Sequence, residues 1–111
     1  MPLVHADMPM HEVLLVMTAK TFGCVAVQDE KGRLLGIITD GDLRRHMQAS
    51  LLSMKATEVM TRSPQTIRPE ALAAEAVAVM NQRSITSLFV VEQDKPVGIL
   101  HIHDCLRAGV V

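Results

Sequence analysis

Gly36-Ile37-Ile38-Thr39-Asp40-Gly41-Asp42-Leu43 and Gly98-Ile99-Leu100-His101-Ile102-His103-Asp104-Cys105 are the two stretches on which the fold turns. Each opens on glycine and two apolar residues of a strand, passes through a polar position, and reaches an aspartate at the same spacing before arginine-bearing helical sequence. Working outward, the halves align at an offset of 63 residues, the spacing of Glu12 and Glu75 and of Met17 and Met80. VHADMPMHEVLLVM (4–17) falls on IRPEALAAEAVAVM (67–80), and CVAVQDEKG (24–32) on SLFVVEQDK (87–95). One residue drops out in the turn, after which LLGIITDGDLRR (34–45) falls on PVGILHIHDCLR (96–107), pairing Asp42 with Asp104 and Arg45 with Arg107. A repeat of about 60 residues means two copies of one supersecondary unit. The first repeat spans 1–50, a linker 51–56, and the second repeat 57–111.

Each copy predicts strand, helix, strand, strand, helix. An extended piece around Val4, or over Pro64–Arg68, leads into a helix with proline in or before its first turn. Leu72, Ala73, Ala76, Val77 and Met80 stand at helical spacing. Gly23 ends the first of these helices and the Arg83–Ser84 stretch the second. Buried strands follow at Cys24–Gln28 and Leu88–Glu92, then polar turns at Asp29–Gly32 and Gln93–Lys95. Strands at Leu34–Thr39 and Val97–His101 complete the hairpins, and final helices begin near Asp40 and Ile102. The class is α+β, and units this small predict two copies packed sheet to sheet with pseudo-twofold symmetry. Ala56-Thr57-Glu58-Val59-Met60-Thr61 reads as a helical turn and apolar anchor leading into copy two. Its counterpart falls ahead of Met1, which predicts a chain starting in mid-unit with the rest of a longer protein upstream.

Composition narrows the partners. The chain of 111 residues is 49% apolar and 21% charged, with a net charge of −1. That composition excludes disorder. Phe22 and Phe89 are its two aromatics, and no basic surplus exists, which argues against nucleic acid. Apolar runs such as Val13–Met17 are far short of a bilayer span, and the start lacks a signal peptide's features. A cytoplasmic location follows, with Cys24 and Cys105 as buried thiols outside any disulfide or C-x-x-C framework. Met8, Met10, Met17, Met54, Met60 and Met80 read as core and interface filler. His5, His11 and His46 read as surface positions.

Two tandem units of this order, each ending in glycine, two apolar residues and a later aspartate, resemble a CBS domain pair (a Bateman module). More narrowly, GIITDGDLRRHM, ATEVMTRSP and GILHIHDCLRAGVV resemble the C-terminal CBS pair of bacterial D-arabinose 5-phosphate isomerases. In that family an upstream sugar-isomerase (SIS) domain interconverts ribulose 5-phosphate and arabinose 5-phosphate on the route to Kdo and lipopolysaccharide. The resemblance implies a regulatory, non-catalytic fragment with no required cofactor, whose ligand is AMP, ATP or the pathway's activated product CMP-Kdo. It also implies homodimers formed through the CBS pairs. A purely structural oligomerisation module and a free-standing adenylate sensor are the alternatives.

The resemblance gives Thr39 a phosphate contact and Asp42 the ribose hydroxyls. Free N–H groups at a helix start favour an anion, and a carboxylate suits a diol. The same Thr39-x-x-Asp42 spacing is a capping pattern that needs no ligand, and the two roles are compatible. Copy two keeps Asp104 but has His101 in place of threonine. His101, His103 and Asp104 invite a metal reading, but a helix begins between the histidines and no further ligand is spaced nearby. They read instead as a polar cleft lining, with His101 reaching a phosphate or carboxylate. Arg83, Ser84 and Thr86, on the turn before a buried strand, complete the candidate site, with Lys20 and Thr21 as the matching pair in copy one. Arg44, Arg45 and Arg107 read as solvated or dimer-contacting side chains.

Overall fold

The computed structural model describes residues 1–20 and 23–107. Thr21 and Phe22, and the side chains of Lys20, Cys105 and Arg107, lie outside the described set, and so do the expectations placed on them. Two compact units are present, one from Met1 to Pro64 and one from Gln65 onward.

In the first unit, β1 (Leu3–His5), α1 (Met10–Lys20), β2 (Cys24–Gln28), β3 (Leu34–Thr39) and α2 (Asp40–Arg45) follow the expected order. A 3-10 turn at Leu51–Ser53, α3 (Ala56–Val59) and β4 (Thr61–Arg62) complete it. The sheet runs β1-β2-β3-β4, with β1 parallel to β2 and the other neighbours antiparallel. Its core gathers Val4, Met10, Val13, Met17, Val25, Val27, Ile38, Ala56 and Val59. Gly23, at φ +72°, turns the chain between α1 and β2 in the left-handed region that glycine enters without Cβ strain. Cys24 is buried, and burial with the nearby Asp40 charge pushes its thiol up to about 11, a chemically quiet sulfur.

In the second unit, β5 (Thr66–Ile67), α4 (Ala73–Arg83), β6 (Ser87–Glu92), β7 (Lys95–His101) and α5 (Ile102–Arg107) repeat the order. The sheet is β5-β6-β7, and Ile67, Ala76, Val77, Met80 and Leu88 form the core. The repeat extends to an irregularity. A bulge interrupts the hairpin between Val27 and Gln28 in one unit and between Val90 and Val91 in the other.

Three local expectations change. β7 starts at Lys95, two residues early, because Gln93 and Asp94 both take positive φ (51° and 65°). A two-residue turn of that hand matches strand twist and closes the hairpin tightly. Leu72 is the N-cap residue of α4 and 75% exposed, outside the apolar face it was expected to join. His46 is the half-buried C-cap residue of α2, its Nδ1 2.9 Å from the carbonyl oxygen of Asp42.

The lead-in to the second repeat folds into the first unit. Ala56 and Val59 are buried in that core, and Thr61–Arg62 pairs with β3 at Ile37 and Gly36. Gly36 is what admits β4: a Cβ there would stand 2.5 Å from the carbonyl oxygen of Thr61 and 2.9 Å from Met60 Sδ. Overpacking against a backbone atom has no side-chain escape. Gly36→Ala should therefore lower stability by about 1–3 kcal/mol in chemical denaturation.

Candidate functional site

The sharpest polar cluster lies where β3 meets α2. Thr39, extended at φ −120°, is the N-cap residue, and its Oγ1 accepts the backbone N–H of Asp42 at 3.4 Å. Asp42 answers: Oδ2 accepts from the Thr39 N–H at 2.9 Å and from Thr39 Oγ1 at 3.2 Å. Its Oδ1 accepts from Thr61 Oγ1 at 2.5 Å and from the guanidinium of Arg45. Four donors thus meet a side chain whose residue is 1% exposed. A buried carboxylate is tolerated when hydrogen bonds replace its lost hydration. The capping alternative is therefore fully built here. A ribose contact at Asp42 would require an exchange of partners.

Two members of the cluster were not among the candidate ligands. Thr61 arrives from β4, 19 residues along the chain, and nothing in local spacing marks it. Arg45, expected to be solvated or dimer-contacting, keeps a side chain 62% exposed while its Nη2 bonds Asp42 and lies 3.4 Å from Thr61 Oγ1.

The second unit solves the same helix start differently. His101, in the position of Thr39, places Nδ1 3.1 Å from the backbone N–H of His103, so the imidazole takes over the capping acceptor's role. Accepting at Nδ1 leaves the proton of the neutral ring on Nε2. The rings of His101 and His103 stack at 4.8 Å between centroids. His101 pairs across the hairpin with Ser87, whose Oγ is buried and has no hydrogen-bond partner among the described residues. Thr86, next to it, is exposed, and its carbonyl accepts the Ile102 N–H at 2.8 Å.

Thr86, Ser87, His101 and His103 are thus brought together by one hairpin and the helix it feeds. Ser87 escaped the sequence reading because a serine in a strand carries no motif. Arg83 is exposed in the last turn of α4, and Ser84 caps that helix in the left-handed conformation at φ 57°. Asp104 is exposed in the first turn of α5. Among the described residues no three His, Cys, Asp or Glu side chains assemble as a metal-holding group, and no helix is long and apolar enough to cross a membrane.

Comparisons with known proteins agree with this architecture. The CBS domain family model matches residues 1–49 and 56–111. The arabinose 5-phosphate isomerase KdsD of Pseudomonas aeruginosa is 48% identical over 101 residues, covering 88% of this chain and 31% of its own length. That of Yersinia pestis is 42% identical over 112 residues, covering 99% and 34%. The chain spans roughly a third of the length of these relatives. Among solved structures, the cytosolic domain of the Mg2+ channel MgtE in complex with ATP matches with 27% identity and a TM-score of 0.81, over 96% of this chain and 44% of that one.

The cluster at Asp42 sets a stability ranking. Asp42→Ala leaves the Thr39 amide, the hydroxyls of Thr39 and Thr61 and a guanidinium without their acceptor, and should cost about 2–3 kcal/mol in denaturant titration. Arg45→Ala, at an exposed side chain, should cost less than about 1 kcal/mol.

Proposed function

The chain belongs to the CBS-domain family as a tandem pair, and on that footing we propose that it is the ligand-sensing module of an arabinose 5-phosphate isomerase, a cytoplasmic enzyme of Kdo and lipopolysaccharide synthesis. Isomerase chemistry then resides in the SIS domain of the same polypeptide, and this module binds a nucleotide and reports it. The likeness to the isomerases supports the parent enzyme, and the ATP complex of MgtE supports the ligand class.

The observation that carries the binding role is the orphaned hydroxyl of Ser87 beside His101. A buried polar group without a partner costs about 1–3 kcal/mol, which a ligand atom hydrogen-bonded to it returns. Ser87, Thr86 and the Nε2–H of His101 offer hydroxyl and imidazole donors to a phosphate or ribose. His103, Asp104, Ser84 and Arg83 border this group in sequence. In the first unit Thr39 and Asp42 satisfy one another, so either joins a ligand only by giving up a present partner, and the exposed side chain of Arg45 is the available donor. The additional acid of CMP-Kdo would suit His101, His103 and Arg83, whereas AMP and ATP ask less of them.

Thermal-shift titration with AMP, ATP, CMP, CMP-Kdo and arabinose 5-phosphate tests the reading. Ligand well above its Kd should stabilise the chain by about 2–3 kcal/mol. Ser87→Ala should leave the free chain as stable or more so, yet weaken binding roughly fivefold or more. No response to any of the five ligands at millimolar concentration would overturn the proposal.

Self-association is a second role, favoured by large apolar side chains in water. Leu15 on α1 is 70% exposed and Met47, just past α2, 71%. Covering them in a homodimer removes that surface from water. Sedimentation should show a dimer that Leu15→Glu and Met47→Glu together dissociate; a monomer at every concentration would refute it.

A further inference from the structure

At the end of the second hairpin remote from His101, the unit holds an open cleft of about 510 Å³, within the range of small-molecule sites. Ser87 pairs with His101 at one end of the β6–β7 ladder, and Glu92 with Lys95 at the other. Five residue steps of about 3.3 Å put those ends roughly 17 Å apart. The cleft is therefore separate from the orphaned hydroxyl of Ser87.

Three chemistries line it. Ile67, Val79 and Val91, from β5, α4 and β6, supply branched aliphatic walls. Arg68, just past β5, supplies a guanidinium, and Asp94, on the β6–β7 turn, a carboxylate. Arg68 reaches Glu75 at 3.3 Å and Glu70 at 3.6 Å, single contacts between side chains at least 43% exposed. Such pairs are weak and exchange readily, which leaves the planar fork of the guanidinium open to an incoming oxyanion. Among the described residues Asp94 forms no ion pair.

The fold does not dictate this lining. In the repeat register His5 stands for Arg68 and Lys31 for Asp94, so the first unit keeps neither group. Gln93 and Asp94 hold φ at 51° and 65°, where glycine or asparagine closes a hairpin with less strain. The turn bears that strain and keeps an amide and a carboxylate on the cleft.

Elimination fixes the ligand class. Glu75 and Asp94 outnumber the one guanidinium, so a phosphate ester would bring its charge to a lining already net negative. A sugar finds no aromatic ring here and would set its hydroxyls against aliphatic walls. A simple amine leaves the guanidinium unused. We infer that the cleft binds a free aliphatic α-amino acid of the leucine, isoleucine and valine class. Its carboxylate takes the fork of Arg68, its ammonium group meets Asp94, and its side chain lies on Ile67, Val79 and Val91. Glu75, displaced from Arg68, becomes a second partner for the ammonium group.

Methyl NMR of the chain during titration with L-leucine tests this. The Val79 and Val91 methyl signals should shift with a Kd of about 1 mM, a strength suited to a small ligand in an open cleft. Isocaproate, which lacks the ammonium group, and isopentylamine, which lacks the carboxylate, should each bind roughly tenfold more weakly. Arg68→Gln and Asp94→Asn should each weaken leucine binding roughly tenfold and leave the melting temperature unchanged, both side chains being exposed. Ser87→Ala, at the far end of the hairpin, should leave leucine binding intact, so this site stands or falls apart from the nucleotide reading. Valine methyl signals unmoved by leucine would overturn the inference. So would isopentylamine binding as tightly as leucine, or Arg68→Gln binding leucine as tightly as the parent chain.

Discussion

The carboxylate of Asp42 ties together β3, α2 and β4. Through Oδ2 it closes the capping box on Thr39, at the end of β3 and the start of α2. Through Oδ1 it reaches Thr61 on β4 and Arg45 one turn along its own helix. α2 is six residues long, too short to persist without tertiary support, so its start depends on this network. β4 has two residues, and it is held on one side by the carboxylate and admitted on the other by the missing side chain of Gly36. Charge and shape therefore act on the same short strand. The lead-in to the second repeat cannot move at Thr61 without disturbing the signature.

The second unit keeps the pattern and discards the closure. His101 caps α5 through Nδ1, committing its one acceptor to the helix and leaving Nε2 free to donate. Ser87, in the place of Cys24, brings a hydroxyl with no partner among the described residues where the first unit has a thiol that is quiet and apolar. The consequence inverts the emphasis that the bare signature gives. Thr39 and Asp42 match the CBS pattern best, yet they satisfy one another. The departures from the pattern, His101 and its neighbours, hold the unused hydrogen-bonding capacity.

What was legible in the sequence was local. Apolar period, turn chemistry and the repeat register placed both hairpins, because a strand's face and a turn's handedness are decided within a few residues. Thr39-x-x-Asp42 was legible as a cap for the same reason. The bond from Asp42 to Thr61 spans 19 residues and depends on where β4 lands, which no window of sequence contains. The lead-in at Ala56–Thr61 was recognised as a helical turn with an apolar anchor, but its address, the core around Val13 and Ile38, is a tertiary fact. The boundary of the repeat and the boundary of the compact unit are accordingly different places.

The scarcity of aromatics bears on the proposed sensing role. Phe89 is buried, and no Trp or Tyr exists to stack a base. Stacking on an aromatic ring contributes about 1–3 kcal/mol per base, so a nucleotide bound without it would rely on phosphate and hydroxyl contacts. Each 1.4 kcal/mol forgone weakens binding about tenfold, which moves the response toward concentrations at which cellular metabolites vary. Weak binding is no handicap for a sensor, provided the ligand distinguishes two states of the unit. An orphaned hydroxyl would supply such a distinction: Ser87 Oγ has no hydrogen-bond partner among the described residues, so a ligand atom bonded to it would add an interaction to the bound state alone.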